Sequence, residues 1–421
     1  MKKIFMILGT LLAVLISNAQ QQMTLQQCVD SALANNRNVK QGALVKKTKE
    51  ISYQQARLNL LPNLNASANQ NWTFGRSQIQ DGTYQNINSS SSSFNISSGL
   101  NLFDGLKMKY NIDARMADLK VSEAELEKIR QDIILNVSSA YLQVLLNKEL
   151  LLISTNQLKL TDTKMEQQKS LVEAGKMAEG EMYALVAQQS KEESSRVQAE
   201  NNLKLSLLDL AQILELNDFE KLDIIVPDDL LNNELQLLDA QTVYENAISH
   251  RPEVKSAEYQ LQSSERNVMI AKSGFYPTLN FGVNVGGGYY NSVSTPLSTN
   301  LGFSLNVPIF NKFETKNQVK TAQINVESNK LNVDNTKLEL RKTVQQAYFN
   351  ALAAKAKWEA ANKSEIANNE AYRFANQKYE GGRATVYELY QSKNNLAQAQ
   401  SEVVQSKYEY VFRIKILELL K

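Results

Sequence analysis

Residues 62–103 read PNLNASANQNWTFGRSQIQDGTYQNINSSSSSFNISSGLNLF, and the alternation inside this stretch decides the fold. In the first arm Leu64, Ala66, Ala68, Trp72 and Phe74 share one parity, broken only by Gln70. Asn63, Asn65, Ser67, Asn69, Asn71 and Thr73 share the other. The second arm sets Phe94, Ile96, Leu100 and Leu102 against Asn95, Ser97, Gly99 and Asn101. A strand sends successive side chains to opposite faces, so each arm has one apolar face and one small, polar, uncharged face. Each arm also has about the 9–11 residues that a tilted strand needs to cross a bilayer. Two readings fit: strands of a membrane barrel with the apolar parity toward lipid, or an antiparallel hairpin on a soluble sheet. Under the first, Leu64, Trp72, Phe74, Phe94, Ile96 and Leu100 face hydrocarbon.

The same grammar returns at residues 277–310. Leu279, Phe281, Val283 and Val285 alternate with Asn280, Gly282, Asn284 and Gly286, and Leu301, Phe303, Leu305, Val307 and Ile309 answer them. This adds Phe281, Val283, Phe303 and Leu305 to the candidate lipid-facing set. The repeat extends well beyond the hairpins. Val39/Val254, Ala56/Ala271, Pro62/Pro277 and Asn65/Asn280 are 215 apart, while Phe103/Phe310, Val137/Val344, Tyr141/Tyr348 and Gly175/Gly382 are 207 apart. The offset changes only inside the hairpin, where the first copy is longer by eight residues. One register held over so long a span marks an internal duplication.

Around each hairpin the pattern is helical. A helix is expected from Thr24 to about Leu60, ended by Pro62, which cannot continue the hydrogen-bond ladder. Gly75 to Ser93 is expected to form a mobile exposed loop, and Asp104 to cap a long helix reaching Glu173, about 100 Å at 1.5 Å per residue. Gly175 turns the chain into a return helix. Heptad seams run through Leu126, Ile129, Ile133, Val137, Ala140 and Val144, and through Leu340, Val344, Ala347, Ala351 and Ala354, so these helices want partner helices. The expected division is a signal peptide at 1–19, a first repeat at 20–216, an irregular connector at 217–240 and a second repeat at 241–421. Lys2-Lys3, the apolar run Ile4–Ile16 and Ser17-Asn18-Ala19 form the charged, apolar and small-residue parts of a secretory signal cleaved after Ala19.

Composition narrows the function. The net charge of +2 gives no electrostatic case for nucleic acid. The single cysteine, Cys28, lies too far past the apolar run to carry a lipid and is expected to pack inside the first helix. The only histidine, His250, has no cysteine or second histidine for a metal site. No phosphate loop or serine-elbow motif is present, so neither a catalytic residue nor a cofactor is expected. Trp72, Tyr84, Tyr276, Tyr289 and Tyr290 suit the aromatic rims of a barrel. Four strands cannot close a barrel and an open edge cannot sit in lipid, so a membrane reading requires several chains to share one wall. The competing reading is a secreted structural or adhesive coiled-coil protein without conductance.

The whole pattern resembles the TolC family of outer-membrane efflux and secretion channels. The likeness rests on the two-copy order and on the junctions Leu61-Pro62-Asn63, Tyr276-Pro277-Thr278, Leu102-Phe103-Asp104-Gly105 and Ile309-Phe310-Asn311. It rests also on Arg251-Pro252-Glu253-Val254 opening a helix, and on the turn Gly382-x-x-Thr385-x-x-Glu388-Leu389. The resemblance implies a fold combining α-helices with membrane β-strands: a homotrimer whose chains each give four strands to a twelve-stranded barrel, above a periplasmic tunnel of antiparallel coiled coils. It implies outer-membrane lipid, a periplasmic adaptor and an inner-membrane pump as partners. Glu388 falls where relatives place an acidic ring that narrows the tunnel, and Gln391 stands where some carry a second acid; the plainer alternative is a solvated first-turn carboxylate. Ala174, Gly175, Lys176, Gly381, Gly382 and Arg383 form the turns expected to meet the adaptor, or simply turn chemistry.

Overall fold

The computed structural model describes residues 21–78, 82–86, 88–175, 179–226, 239–291 and 293–421. The expected signal peptide, Lys176 and residues 227–238 of the expected connector lie outside them. The first copy runs β1 (Gln21–Met23), α1 (Leu25–Asn35), α2 (Arg37–Leu58), β2 (Asn65–Thr73), β3 (Arg76–Gln78), β4 (Tyr84–Asn86), β5 (Ser89–Phe103), α3 (Lys107–Glu173) and α4 (Glu179–Ile213). The second runs β6 (Leu222–Ile224), α5 (Ala240–His250), α6 (Pro252–Ser273), β7 (Thr278–Tyr290), β8 (Val293–Asn306), α7 (Glu314–Glu380) and α8 (Val386–Leu420). The helices have the same lengths in the two series, 11, 22, 67 and 35 residues.

The helix expected across 24–60 is two helices. Asn36 breaks it with an extended ψ of 131°, and the side chain then accepts from Asn38 N at 2.9 Å to start α2. Its equivalent 215 residues on, Arg251, makes the same break with ψ 128° before Pro252 opens α6, proline being at home in a first turn whose amide needs no partner. Thr24 starts α1 with a reciprocal capping box with Gln27. Asp104 sits further upstream than a cap should. Gly105 and Leu106 intervene at φ 67° and 66°, yet Asp104 Oδ2 still accepts from Met108 N at 3.0 Å. Lys312 and Phe313 repeat this left-handed step in the second copy, at φ 55° and 65°.

Two units are compact. The first gathers residues up to 42, 126–251 and 337–421. Both heptad seams are covered, Val137, Val344 and Ala351 completely. Cys28 is fully buried there, as expected, and burial pushes its thiol up to about 11. The Tyr141 hydroxyl donates to the Ile225 carbonyl and lies 3.3 Å from the Met23 carbonyl, tying α3 to the parallel β1–β6 ladder, a pairing the sequence did not disclose.

The second unit, residues 43–125 with 252–336, holds a four-stranded antiparallel sheet in the order β2-β5-β7-β8. The loop expected at 75–93 is shorter and more regular than its composition suggested: β5 begins at Ser89, and β3 pairs with β4 inside it. Leu64 and Phe303 are 75% and 72% exposed, so the apolar parity is not the dry interior of a soluble body within this chain. Among the described residues no helix is long and apolar enough to cross a membrane.

Candidate functional site

The sheet separates two chemistries by register alone. On one face Ala66, Ile96, Val285 and Thr299 stand in a row, followed by the row Ser98, Val283 and Leu301 and the row Leu100, Phe281 and Phe303. The Phe281 and Phe303 rings lie 4.9 Å apart. On the other face Asn65, Ser97, Asn284 and Asn300 form a row, and Asn101, Asn280 and Ser304 another. No Asp, Glu, Lys or Arg occurs in any of the four strands. Phe94 and Leu305 join the apolar face, Trp72 stands at the far end of β2, and Leu64 and Phe74 flank that strand. Trp72 pairs with Ser90, and Tyr289 and Tyr290 pair with Ser92 and Ser91, which gathers these aromatics at one end of the sheet. Tyr276 precedes β7 at the other end, and Tyr84 lies in β4.

Both outer strands are open. Every residue of β8 is exposed, as is every residue of β2, and among the described residues neither has a strand paired on its outer side. A run of unpaired amides and carbonyls is a template for another strand.

At the helix turns of the first unit, Gly175 and Gly382 adopt φ 67° and 68°, a conformation that glycine takes without the steric cost of a Cβ. Gly382 N donates to Tyr379 O and Arg383 N to Lys378 O, satisfying the last carbonyls of α7. Ala174, Gly381 and Arg383 are exposed in these turns. Thr385 caps α8 by accepting from Glu388 N at 3.3 Å. Glu388 is therefore a first-turn carboxylate, where the helix dipole favours it. It is also exposed, and it opens a polar stripe that continues through Gln391, Asn395, Gln398 and Glu402. Gln391 Nε2 donates to Asn395 Oδ1 at 3.2 Å. Tyr183 and Tyr387, 74% and 76% exposed near the starts of the two return helices, were not singled out from sequence, although aromatics beside a turn are an interface signal.

Beneath the polar stripe lies a group that sequence reasoning missed. Lys393 on α8 is buried, and its ammonium meets Glu192 Oε1 on α4 at 3.0 Å. It also donates to the Gln157 carbonyl oxygen on α3 at 2.9 Å and to Thr161 Oγ1. Thr161 donates in turn to Glu192 Oε2 at 2.6 Å, and Gln188 reaches both Glu192 and Asn394. Burial pulls the Lys393 ammonium below its ordinary value, while the Glu192 carboxylate opposes that shift. Val386, Leu389 and Leu396 place Lys393 on the buried seam, and that spacing was the available signal. His250 lies at an exposed helix end, Nδ1 3.0 Å from the Asn246 carbonyl. Among the described residues no cluster could hold a metal ion.

The described residues offer a segregated sheet, capped turns and packed coils. The chain is 23% identical over 403 residues to the toxin and drug export protein A of Aggregatibacter actinomycetemcomitans, covering 92% of this chain and 83% of that one. It is 21% identical over 427 residues to outer membrane protein TolC of Escherichia coli, covering 98% and 84%. The crystal structure of the outer membrane protein VceC of Vibrio cholerae superposes with a TM-score of 0.77 at 15% identity, covering 94% of this chain and 95% of that one. The outer membrane efflux protein family matches residues 28–215 and 243–414, nearly the whole described chain. The chain belongs to the outer membrane efflux protein family and is an outer-membrane channel for efflux or secretion.

Proposed function

We propose that three copies of this chain close one twelve-stranded barrel in the outer membrane, above a periplasmic tunnel built from α3, α4, α7 and α8. The observation that carries the reading is the uncharged sheet with segregated faces and two open edges. In hydrocarbon each unpaired amide costs several kcal/mol, so such a sheet needs further strands on both sides. Because β2 and β8 run antiparallel, β8 of one copy can pair with β2 of the next, and the same step repeats around a ring. Leu64, Trp72, Phe74, Phe94, Ile96, Leu100, Phe281, Val283, Phe303 and Leu305 then face lipid, and the Asn, Ser and Gly rows line a wet, neutral lumen.

In this reading the protein is the passive exit duct of a tripartite system, energised by an inner-membrane pump. The two repeats and the intervening connector build its successive parts. Residues 174–176 and 381–383 meet the periplasmic adaptor, with exposed Tyr183, Tyr387 and Arg383 supplying contact surface. Glu388 narrows the tunnel as a single acidic position, since Gln391 is neutral. The export named for the Aggregatibacter relative fits this role, with substrate choice left to the pump. The test is purified protein in planar bilayers, run beside a gel of heated and unheated samples. Ion conductance with heat-dependent migration supports the duct; silence in the bilayer with a single band favours an adhesive coiled-coil protein.

A further inference from the structure

The four joints between strands and helices lie at one end of the sheet. β2 and β7 begin there and β5 and β8 finish there, as the pairs Asn65–Ser97, Asn101–Asn280 and Thr278–Asn306 require. Charge divides unequally between the two ends. The strands themselves hold none. Beyond the far end, residues 74–88 carry only Arg76 and Asp81, and Asn291 and Ser292 carry no charge. At the joints Arg57 lies in the last turn of α2 and Lys272 in that of α6. Lys107 and Lys109 open α3, while Lys312 and Lys316 flank the start of α7. All six cations are exposed, and none forms a salt bridge among the described residues. The same joints hold two acids: Asp104, buried with Oδ2 accepting from the Met108 amide, and Glu314, accepting from Gln318.

The helices alone do not account for this. Their dipoles favour Arg57 and Lys272 at the C-terminal turns. They disfavour cations in first turns, and α3 has no first-turn acid to offset Lys107 and Lys109. Yet both copies keep the pattern: Arg57/Lys272 are 215 apart and Lys109/Lys316 are 207 apart, the offsets of the repeat. Bulky apolar side chains are kept beside them. Leu60/Phe275 and Leu61/Tyr276 stand at the first offset, Leu102/Ile309 and Phe103/Phe310 at the second. All eight are exposed, Ile309 to 94%. Exposed rings and alkyl chains edged by long cationic side chains match the headgroup level of a bilayer, where the rings settle and the cations extend to phosphate.

We propose that this end of the sheet is a headgroup collar that binds anionic phospholipid of the adjoining leaflet, the cations meeting phosphate oxygens and the apolar pairs covering the upper acyl chains. The collar rests on the membrane reading of the sheet and adds a lipid preference to it. Charge complementarity selects the occupant: six unpaired cations gain from a headgroup of net negative charge and little from a zwitterionic one. The far end, with Trp72, Tyr289 and Tyr290 but a balanced charge, has no such preference.

Native mass spectrometry of the detergent-purified protein tests the collar, with phosphatidylglycerol and phosphatidylcholine of identical acyl chains as probes. Phosphatidylglycerol should bind about tenfold or more tightly, since each cation beside an anionic headgroup contributes several-fold. The preference should shrink between about 0.1 and about 1 M ammonium acetate, as the screening length falls from about 10 to about 3 Å. Lys107→Gln with Lys109→Gln, and Lys312→Gln with Lys316→Gln, should each remove part of the preference, and the four together all of it. Arginine at the four positions should retain it. Glutamine at Lys159, Lys169, Lys355 and Lys363, exposed lysines of the other unit, should change nothing. Excess inorganic phosphate should leave the lipid bound. Equal affinity for the two lipids, a preference that survives all four substitutions, equal loss from the remote lysines, or displacement by phosphate overturns the collar. In a sample whose mass shows assembled chains, any of these leaves the shared barrel standing; a single chain overturns the barrel and the collar with it.

Discussion

The Lys393 ammonium lies 3.0 Å from Glu192 Oε1 across α8 and α4, and the two side chains are only 5% and 10% exposed. A buried charge pair held by Thr161 and the Gln157 carbonyl binds three helices at one point. Removing one partner strands the other in a medium that solvates it poorly, at a cost of about 3–5 kcal/mol, whereas replacing both by apolar groups is far milder. Lys393→Met should therefore lower the urea midpoint of the detergent-solubilised protein sharply, and Lys393→Met with Glu192→Met should recover most of the loss. A single variant as stable as the parent would show that the pair contributes little.

Cys28 makes a pH prediction. Burial raises its thiol from 9.0 to about 11 in the folded chain. Between those values the unfolded thiol has lost its proton and the folded one has kept it, so rising pH favours unfolding. The contribution is fully present below about pH 9 and is lost as the pH climbs through 11. A thiol-specific chromogenic reagent at pH 8 should leave Cys28 unmodified in the folded protein and label it after denaturation. Rapid labelling of the folded protein would place Cys28 at a surface.

Gly105 is fixed by geometry as well as by backbone conformation. At φ 67° a built Cβ would meet Tyr276 Cβ at 2.7 Å and the Ser273 carbonyl oxygen at 2.9 Å. Gly105→Ala should cost about 1–2 kcal/mol from the left-handed conformation alone, and more from the crowding. Gly175→Ala, with the same φ and open space around it, should lose only the first part. Equal losses in thermal unfolding of the two variants would remove the steric argument.

These differences also explain what was legible in the sequence. Strand alternation and the 215 and 207 offsets fixed the duplicated order, because burial of one face imposes period two and a duplication preserves spacing. The break at Asn36 escaped notice although Arg251-Pro252 announced its counterpart, since only the proline carries a strong local signal. The β1–β6 ladder was unreadable: three residues are too few for a period, and its partner lies about 200 residues away. Lys393 was passed over because a lysine among Gln and Asn suggests surface, and nothing local reveals that Glu192 will face it. The turn glycines were legible because their conformation is local; what the turns contact is not.

At the start of α8 the proposed acidic constriction has a direct electrical readout. Glu388→Gln keeps the length of the side chain and the Thr385 backbone cap while removing the charge. In planar bilayers it should reduce the cation preference of the closed pore. Unchanged selectivity would leave Glu388 as a first-turn carboxylate and nothing more.

The central claim is that a sheet open at β2 and β8 is completed by other copies of itself. Native mass spectrometry of the protein extracted from outer membranes tests it most directly. The account predicts a complex of three chains; a single chain released intact from the membrane would contradict it.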